Sequence, residues 1–145
     1  MDLMEYKAKE LFERFDLPVS RGRVVESADR LECLEDWTEF PCVVKAQVQT
    51  GGRGKAGGIR VVRNAAELRQ GCGDILGMDI KGHTVNSVLL APCVDIKSEW
   101  YLSVALDRLG KGPVVIFSPV GGVDIEETAA RDPDRVVKLA VDPLV

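Results

Sequence analysis

The sequence predicts an α+β protein made of two small lobes. Between Val24 and Leu90, short β-branched runs alternate with amphipathic helical stretches, in the order strand, helix, strand, loop, strand, helix, strand. From Trp100 onward the apolar residues alternate with period two and return after tight turns, so this part reads as strands. A third feature lies inside the first lobe. Five glycines within eight residues, Gly51 to Gly58, join two of its strands.

The elements follow in order. Asp2-x-x-Glu5 reads as a capping box, Asp2 accepting from first-turn amides and Glu5 reaching back. Met4, Ala8, Leu11, Phe12 and Phe15 recur at helical spacing, an apolar stripe expected to be core, and Leu17-Pro18 ends the helix. Val24-Val25 marks a short strand, and Ser27 is expected to cap a helix through about Trp37 with Ala28, Leu31 and Leu34 inward. Pro41 to Val48 is a buried strand leading into the glycine loop, and Ile59 to Val62 is the return strand. Asn64-x-x-Glu67 is a second capping box, opening a helix with Leu68, Cys72, Ile75 and Leu76 on one face. Gly71, Gly73 and Gly77 weaken its later turns. Asp79 to Thr84 reads as a polar connection and Val85 to Leu90 as a strand. Beyond it, Trp100 to Asp107 and Val114 to Phe117 form a hairpin across Arg108 to Gly112. A second glycine-containing loop, Ser118 to Glu127, leads to a last strand over Val136 to Val141. With no helix expected to cover these strands, the domain is expected to continue past Val145.

Composition narrows the function classes. A chain of 145 residues with 46 % apolar and 29 % charged content suits a water-soluble fold with its own core. No apolar run approaches the roughly 20 residues that span a bilayer. The acidic start, Met1 to Glu5, lacks the basic region of a secretory signal, so a cytoplasmic location without membrane partner is expected. The four cysteines are widely spaced with no C-x-x-C, and Cys42 and Cys72 read as small buried hydrophobes. One histidine, His83, argues against a zinc set or a histidine-based triad. Neither a catalytic residue nor a metal site is expected in these residues.

The glycine loop carries the chemistry. Ordering five glycines is costly in backbone entropy, so they are there for bare backbone whose N–H groups can close around an anion. Lys45, Arg53, Lys55, Arg60 and Arg63 place five positive charges between Phe40 and Ala66, a stretch without Asp or Glu, in a chain of net charge −4. Such concentration points to a local phosphate site rather than a nucleic-acid surface, which spreads positive charge over a face. Gly52 to Gly57 matches G-x-G-x-x-G, but it opens a strand instead of the helix that the dinucleotide fingerprint needs. The Walker pattern fails too, because Ala56 follows Gly54-Lys55 where a hydroxyl is required. Strand, glycine loop, strand is instead a flap laid over phosphates. The competing reading, a surface hairpin with solvated lysines, does not account for basic residues and glycines coinciding.

The chain also resembles, along its whole length, the start of the succinate–CoA ligase β-subunit family of ATP-grasp enzymes. The motifs that carry the resemblance are the M-D-L-x-E-Y-x-A-K-E-L-F opening, V-V-K-A-Q-V-x-x-G-G-R-G-K-A-G-G, D-I-x-x-E-x-Y-L, G-G-V-D-I-E-E and A-V-D-P-L. The resemblance implies an ATP-grasp fold, with residues 21–94 as the nucleotide-binding lobe. Residues 1–20 with 95–145 would be part of the second lobe, incomplete at its C-terminal end. It implies that Lys45 touches the nucleotide phosphates and purine side, and that Gly52, Arg53 and Gly54 belong to the flap. The hinge from Ala91 to Val94 would receive the purine through backbone groups, and Glu99 would face the ribose. Many relatives carry glutamate at the position of Ala91, which leaves the choice of ATP or GTP open. The implied reaction converts succinyl-CoA, nucleoside diphosphate and phosphate to succinate, CoA and triphosphate. A histidine of an α subunit, which also holds CoA, carries the phosphoryl group, and the Mg2+ ligands lie beyond residue 145. A malate- or acetate-type acyl-CoA ligase, a nucleotide-sensing module without chemistry, and an assembly domain are the alternatives.

Overall fold

The computed structural model describes residues 3–26, 34, 36–121 and 125–142. Its contacts divide the chain into two units, Met1–Val94 and Asp95–Val145. No helix among the described residues is long and apolar enough to cross a membrane.

In the first unit, β1 (Arg23–Val25), β2 (Cys42–Ala46), β3 (Ile59–Val62) and β6 (Val88–Pro92) form one antiparallel sheet in the order β1-β6-β2-β3. The strand expected over Val85 to Leu90 is therefore shifted toward the C-terminus, and its partner fixes the shift: Cys42 lies opposite Pro92 and Ala46 opposite Val88. Along β2, Cys42, Val44 and Ala46 are buried while Val43 and Lys45 are half-buried on the other face, the period-two alternation of a strand. Helix α2 (Ala65–Ile75) packs on the buried face through Leu68, Cys72 and Ile75, which join Val44, Val62, Val88 and Leu90 in the core. The N-cap half of its expected capping box forms, while the reciprocal bond of Glu67 goes to the amide before the cap, that of Arg63, instead of to the backbone N–H of Asn64. Asn64 Oδ1 accepts from the Glu67 amide at 2.9 Å, and Glu67 Oε2 accepts from the Arg63 amide at 2.9 Å.

The first helix corrects its expectation. Helix α1 (Glu5–Arg14) has no buried residue, and its apolar stripe is open: Leu11 is 41 %, Phe12 47 % and Phe15 70 % exposed. The polar side of the helix is the one that docks. The Tyr6 amide donates to Gln47 Oε1 at 3.3 Å, and Glu5 pairs with Lys45. Glu5 thus spends its carboxylate on distant cations instead of capping the helix, whose N-cap Met4 has no side-chain cap bond. The contacts group α1 with Met1–Val94, whereas residues 1–20 were expected to go with the second lobe. Asp2 and most of the helix expected from Ser27, with Ala28 and Leu31, lie outside the described residues; Leu34 and Trp37 are buried in the core.

The polar connection at Asp79 to Thr84 is a hairpin, β4 (Asp79–Ile80) with β5 (His83–Thr84). Lys81 and Gly82 turn it at φ of 55° and 82°, the positive values of a two-residue hairpin turn whose twist matches that of its strands. In the second unit, β7 (Tyr101–Asp107), β8 (Gly112–Ser118) and β9 (Val137–Ala140) form an antiparallel sheet in that order. Leu102, Val104 and Leu106 are 70 %, 73 % and 72 % exposed, so the alternating face has no cover among the described residues. A helix was not expected here, yet α3 (Ile125–Arg131) follows the second glycine-containing loop. Its run of acids and alanines is helix-forming, and the preceding glycines drew it into the loop reading.

Candidate functional site

The loop between β2 and β3 is folded on itself, not splayed as an open hairpin. The amides of Ala56, Gly57 and Gly58 donate to the carbonyls of Gly52, Gly54 and Arg53 at 3.1, 3.1 and 2.8 Å, and Ala46 N donates to Gly58 O at 2.7 Å. The amides of Gly51 to Lys55, by contrast, have no acceptor among the described residues of the protein. The bare backbone expected across the whole of residues 51–58 is therefore confined to its first five positions. Three glycines are dictated by geometry. Gly52 and Gly57 sit at φ of 82° and 79°, a left-handed conformation that L side chains rarely adopt. At Gly58, a Cβ would lie 2.7 Å from Ile80 Cδ1 and 3.0 Å from Ala46 Cβ, so a side chain there would hold the loop away from the sheet.

Gly51 to Lys55 line an open pocket of about 910 Å³ that also takes in Glu5, Gln49 and Thr50. The Glu5 carboxylate joins the two cations predicted from sequence. Lys45 Nζ donates to Glu5 Oε1 at 3.1 Å, and an Arg53 terminal nitrogen donates to Glu5 Oε2 at 2.9 Å. The other terminal nitrogen of Arg53 donates to the Ala46 carbonyl at 2.9 Å, which fixes the guanidinium from two sides. Lys9 Nζ lies 3.8 Å from Glu5 Oε1. One carboxylate thus stands among three cations, all four groups mostly shielded from solvent. Burial alone pushes Glu5 up, but Lys45 and Arg53 together outweigh it and hold the carboxyl below its ordinary range. Burial lowers the Lys9 ammonium, and the nearby Lys45 charge adds to it against the pull of Glu5.

Lys45, Gly52, Arg53 and Gly54 are therefore gathered in one place. Ala91 lies on β6 opposite Val43, two residues along the register from the Lys45–Leu89 pair and so on the same face, and is 4 % exposed. Past the end of β6, Cys93 N donates to Pro41 O at 3.0 Å, tying the segment to the start of β2, and Val94 is exposed. Glu99 belongs to the second unit, where its backbone carbonyl accepts from Gly121 N at 2.9 Å. Two residues had escaped the sequence reading. Glu5 carried only the local signal of a cap, because its partners lie 40 and 48 residues away. Lys81, at the tip of the β4–β5 turn, brings its ammonium to 3.1 Å from where a Gly52 Cβ would stand, and only the Lys-Gly dipeptide hinted at that turn.

The chain is 47 % identical to the succinate–CoA ligase [ADP-forming] subunit beta 2 of Streptomyces coelicolor and 46 % to the subunit beta of Halobacterium salinarum. In each case the match covers 99 % of this chain and 37 % of the relative, so the chain spans little more than a third of these proteins. Among solved structures, a dinucleotide-forming acetyl-coenzyme A synthetase of Ca. Korarchaeum cryptofilum aligns with TM-score 0.74 at 23 % identity, over 97 % of this chain and 60 % of that one. The ATP citrate lyase of Methanothrix soehngenii aligns with TM-score 0.69 at 24 % identity, over 99 % of this chain and 35 % of that one. Both share its fold. The family model described as ATP-grasp domain matches residues 2–145, and the chain belongs to that family.

Proposed function

We propose that residues 1–145 are the nucleotide-binding part of a succinate–CoA ligase β subunit, with the flap lobe in the first unit and residues 95–145 beginning the second lobe. The observation that supports this most is the convergence of Lys45 and Arg53 beside five amides that have no acceptor among the described residues. That is the donor set of a polyphosphate site. Phosphoryl transfer is mainly positioning and charge neutralisation, and these groups supply both. Lys45 and Arg53 neutralise phosphate oxygens, while the amides of Gly52, Arg53 and Gly54 donate to them. The backbone from Ala91 to Val94 receives the purine, and Glu99 holds the ribose. The relatives named above support the acyl-CoA chemistry: succinyl-CoA, nucleoside diphosphate and phosphate interconvert with succinate, CoA and ATP or GTP. A histidine of a partner α subunit, which also binds CoA, carries the phosphoryl group.

Among the described residues, no three His, Cys, Asp or Glu side chains cluster to hold a metal, and we place the magnesium ligands beyond residue 145. None of the residues described is assigned as catalytic, so residues 1–145 alone bind nucleotide weakly and do not turn over.

The test is succinyl-CoA formation by the full-length protein co-expressed with an α subunit, comparing succinate with malate and acetate, and ATP with GTP. Succinate-dependent turnover that requires both subunits is expected. Nucleotide binding without any acyl-CoA formation would leave a sensing module instead.

A further inference from the structure

We infer, on the reading of the Gly51–Lys55 loop as a nucleotide-phosphate site, that Glu5 is an internal competitor of the nucleotide: its carboxylate occupies one donor of Lys45 and one of Arg53 that phosphate can otherwise take. The two cations face one carboxylate, Lys45 at 3.1 Å on Oε1 and Arg53 at 2.9 Å on Oε2. Each Glu5 oxygen accepts from one cation, and phosphate oxygens accept charge-assisted hydrogen bonds from the same groups, so the two anions compete for them. One terminal nitrogen of Arg53 is tied to the Ala46 carbonyl and the other to Glu5, both at 2.9 Å. While Glu5 stays, a phosphate has only the remaining N–H groups of this guanidinium, and it gains one more when Glu5 yields. Lys45 has three donors and can swing between acceptors.

Charge favours the exchange. Lys9, Lys45 and Arg53 surround Glu5, leaving two positive charges in excess over the one carboxylate. The cluster is thus prepared for a second, more highly charged anion, while the carboxylate keeps three like charges together until that anion arrives. Glu5 also lines the same pocket as Gly51 to Lys55, so a phosphate there lies next to a fixed negative charge. Since Glu5 is at the start of α1, the exchange removes two of the ties of that helix to the sheet unit. Glu5 therefore sets nucleotide affinity from outside the glycine loop, and it eases release of the bound nucleotide.

The experiment is equilibrium binding of ATP and of inorganic triphosphate to the full-length protein, as wild type, Glu5→Gln and Glu5→Asp. Glu5→Gln is expected to bind both about tenfold more tightly, equivalent to about 1.4 kcal/mol. Glu5→Asp, which keeps the charge, is expected to stay near wild type. A residue that only braced the fold would behave otherwise, its amide variant melting earlier and binding no better. Wild-type binding with Glu5→Gln equal or weaker overturns the inference alone. A wild type that binds neither ligand overturns the phosphate reading and the inference with it. Should Glu5→Gln fail to fold, the carbon-13 carboxyl signal of Glu5 in the wild type decides. Its titration midpoint is expected to rise when triphosphate saturates the site, and an unmoved midpoint overturns the inference.

Discussion

The Glu5 carboxylate accepts from the Arg53 guanidinium at 2.9 Å across 48 residues of chain, and from Lys45 at 3.1 Å across 40. Helix α1, strand β2 and the glycine loop meet at this one group. The contact is largely withdrawn from solvent, Glu5 being 20 % and Arg53 23 % exposed at the side chain, so it is screened less than a surface pair. It holds two cations together at the edge of the glycine loop and docks the N-terminal helix by its polar side.

Lys45→Ala and Arg53→Ala are each expected to weaken ATP binding at least tenfold, since a hydrogen bond to a charged group contributes about 1.5–3 kcal/mol. Arg53→Glu combined with Lys45→Ala removes measurable binding. Calorimetry on the full-length protein checks this, and a double variant with wild-type affinity would sink the phosphate assignment.

Gly58→Ala is expected to cost about 1–3 kcal/mol, the usual price of forcing atoms into a filled space. Its Cβ would meet Ile80, Ala46 and the Arg53 carbonyl, whereas a Cβ at Gly51 meets nothing within 4 Å. Urea unfolding should therefore separate Gly58→Ala from a Gly51→Ala control. Equal midpoints would contradict the crowding at Gly58.

Asn64→Ala is expected to destabilise the first unit by about 1 kcal/mol through loss of the α2 cap. Its side chain accepts from the Glu67 amide and donates to the Glu67 carboxylate, both at 2.9 Å. Asn64→Ser keeps an acceptor for the cap without setting a second carboxylate against Glu67, and should recover much of the loss in a thermal melt.

Acid should weaken the fold through Glu5. Burial raises its pKa, but Lys45 and Arg53 lower it further, leaving the folded value below the ordinary 4.5. The unfolded chain takes up this proton first as the pH falls. The contribution of Glu5 to stability is whole above about pH 4.5 and disappears as the pH drops through the folded value. Glu5→Gln should show a flatter dependence of unfolding free energy on pH in that window, measured by urea titration.

Burial pushes the Cys72 thiol up to about 12, so almost no thiolate exists at neutral pH. A thiol-specific reagent should leave Cys72 unlabelled in the native protein and label it in denaturant, as peptide mass mapping would show. Rapid native labelling would place Cys72 outside the α2–sheet core.

Local sequence determined what local chemistry decides. The strands around the glycine loop, the Asn64 cap and the inward face of α2 follow from alternation, capping and helical spacing, each settled within a few residues. The cationic character of the loop was legible too, because charge and glycine content are properties of composition. The tertiary structure decided what depends on distant partners. Pairing with β2 moved β6 by three residues at its start, from Val85 to Val88, and brought Ala91 and Pro92 into the sheet. The apolar stripe of α1 looked like core because spacing reveals that a helix is two-faced, not which face will dock. That choice was made by the Glu5 carboxylate, which gains more from two partly buried cations than from a cap at its own helix end, and whose partners are neighbours only once the chain has folded.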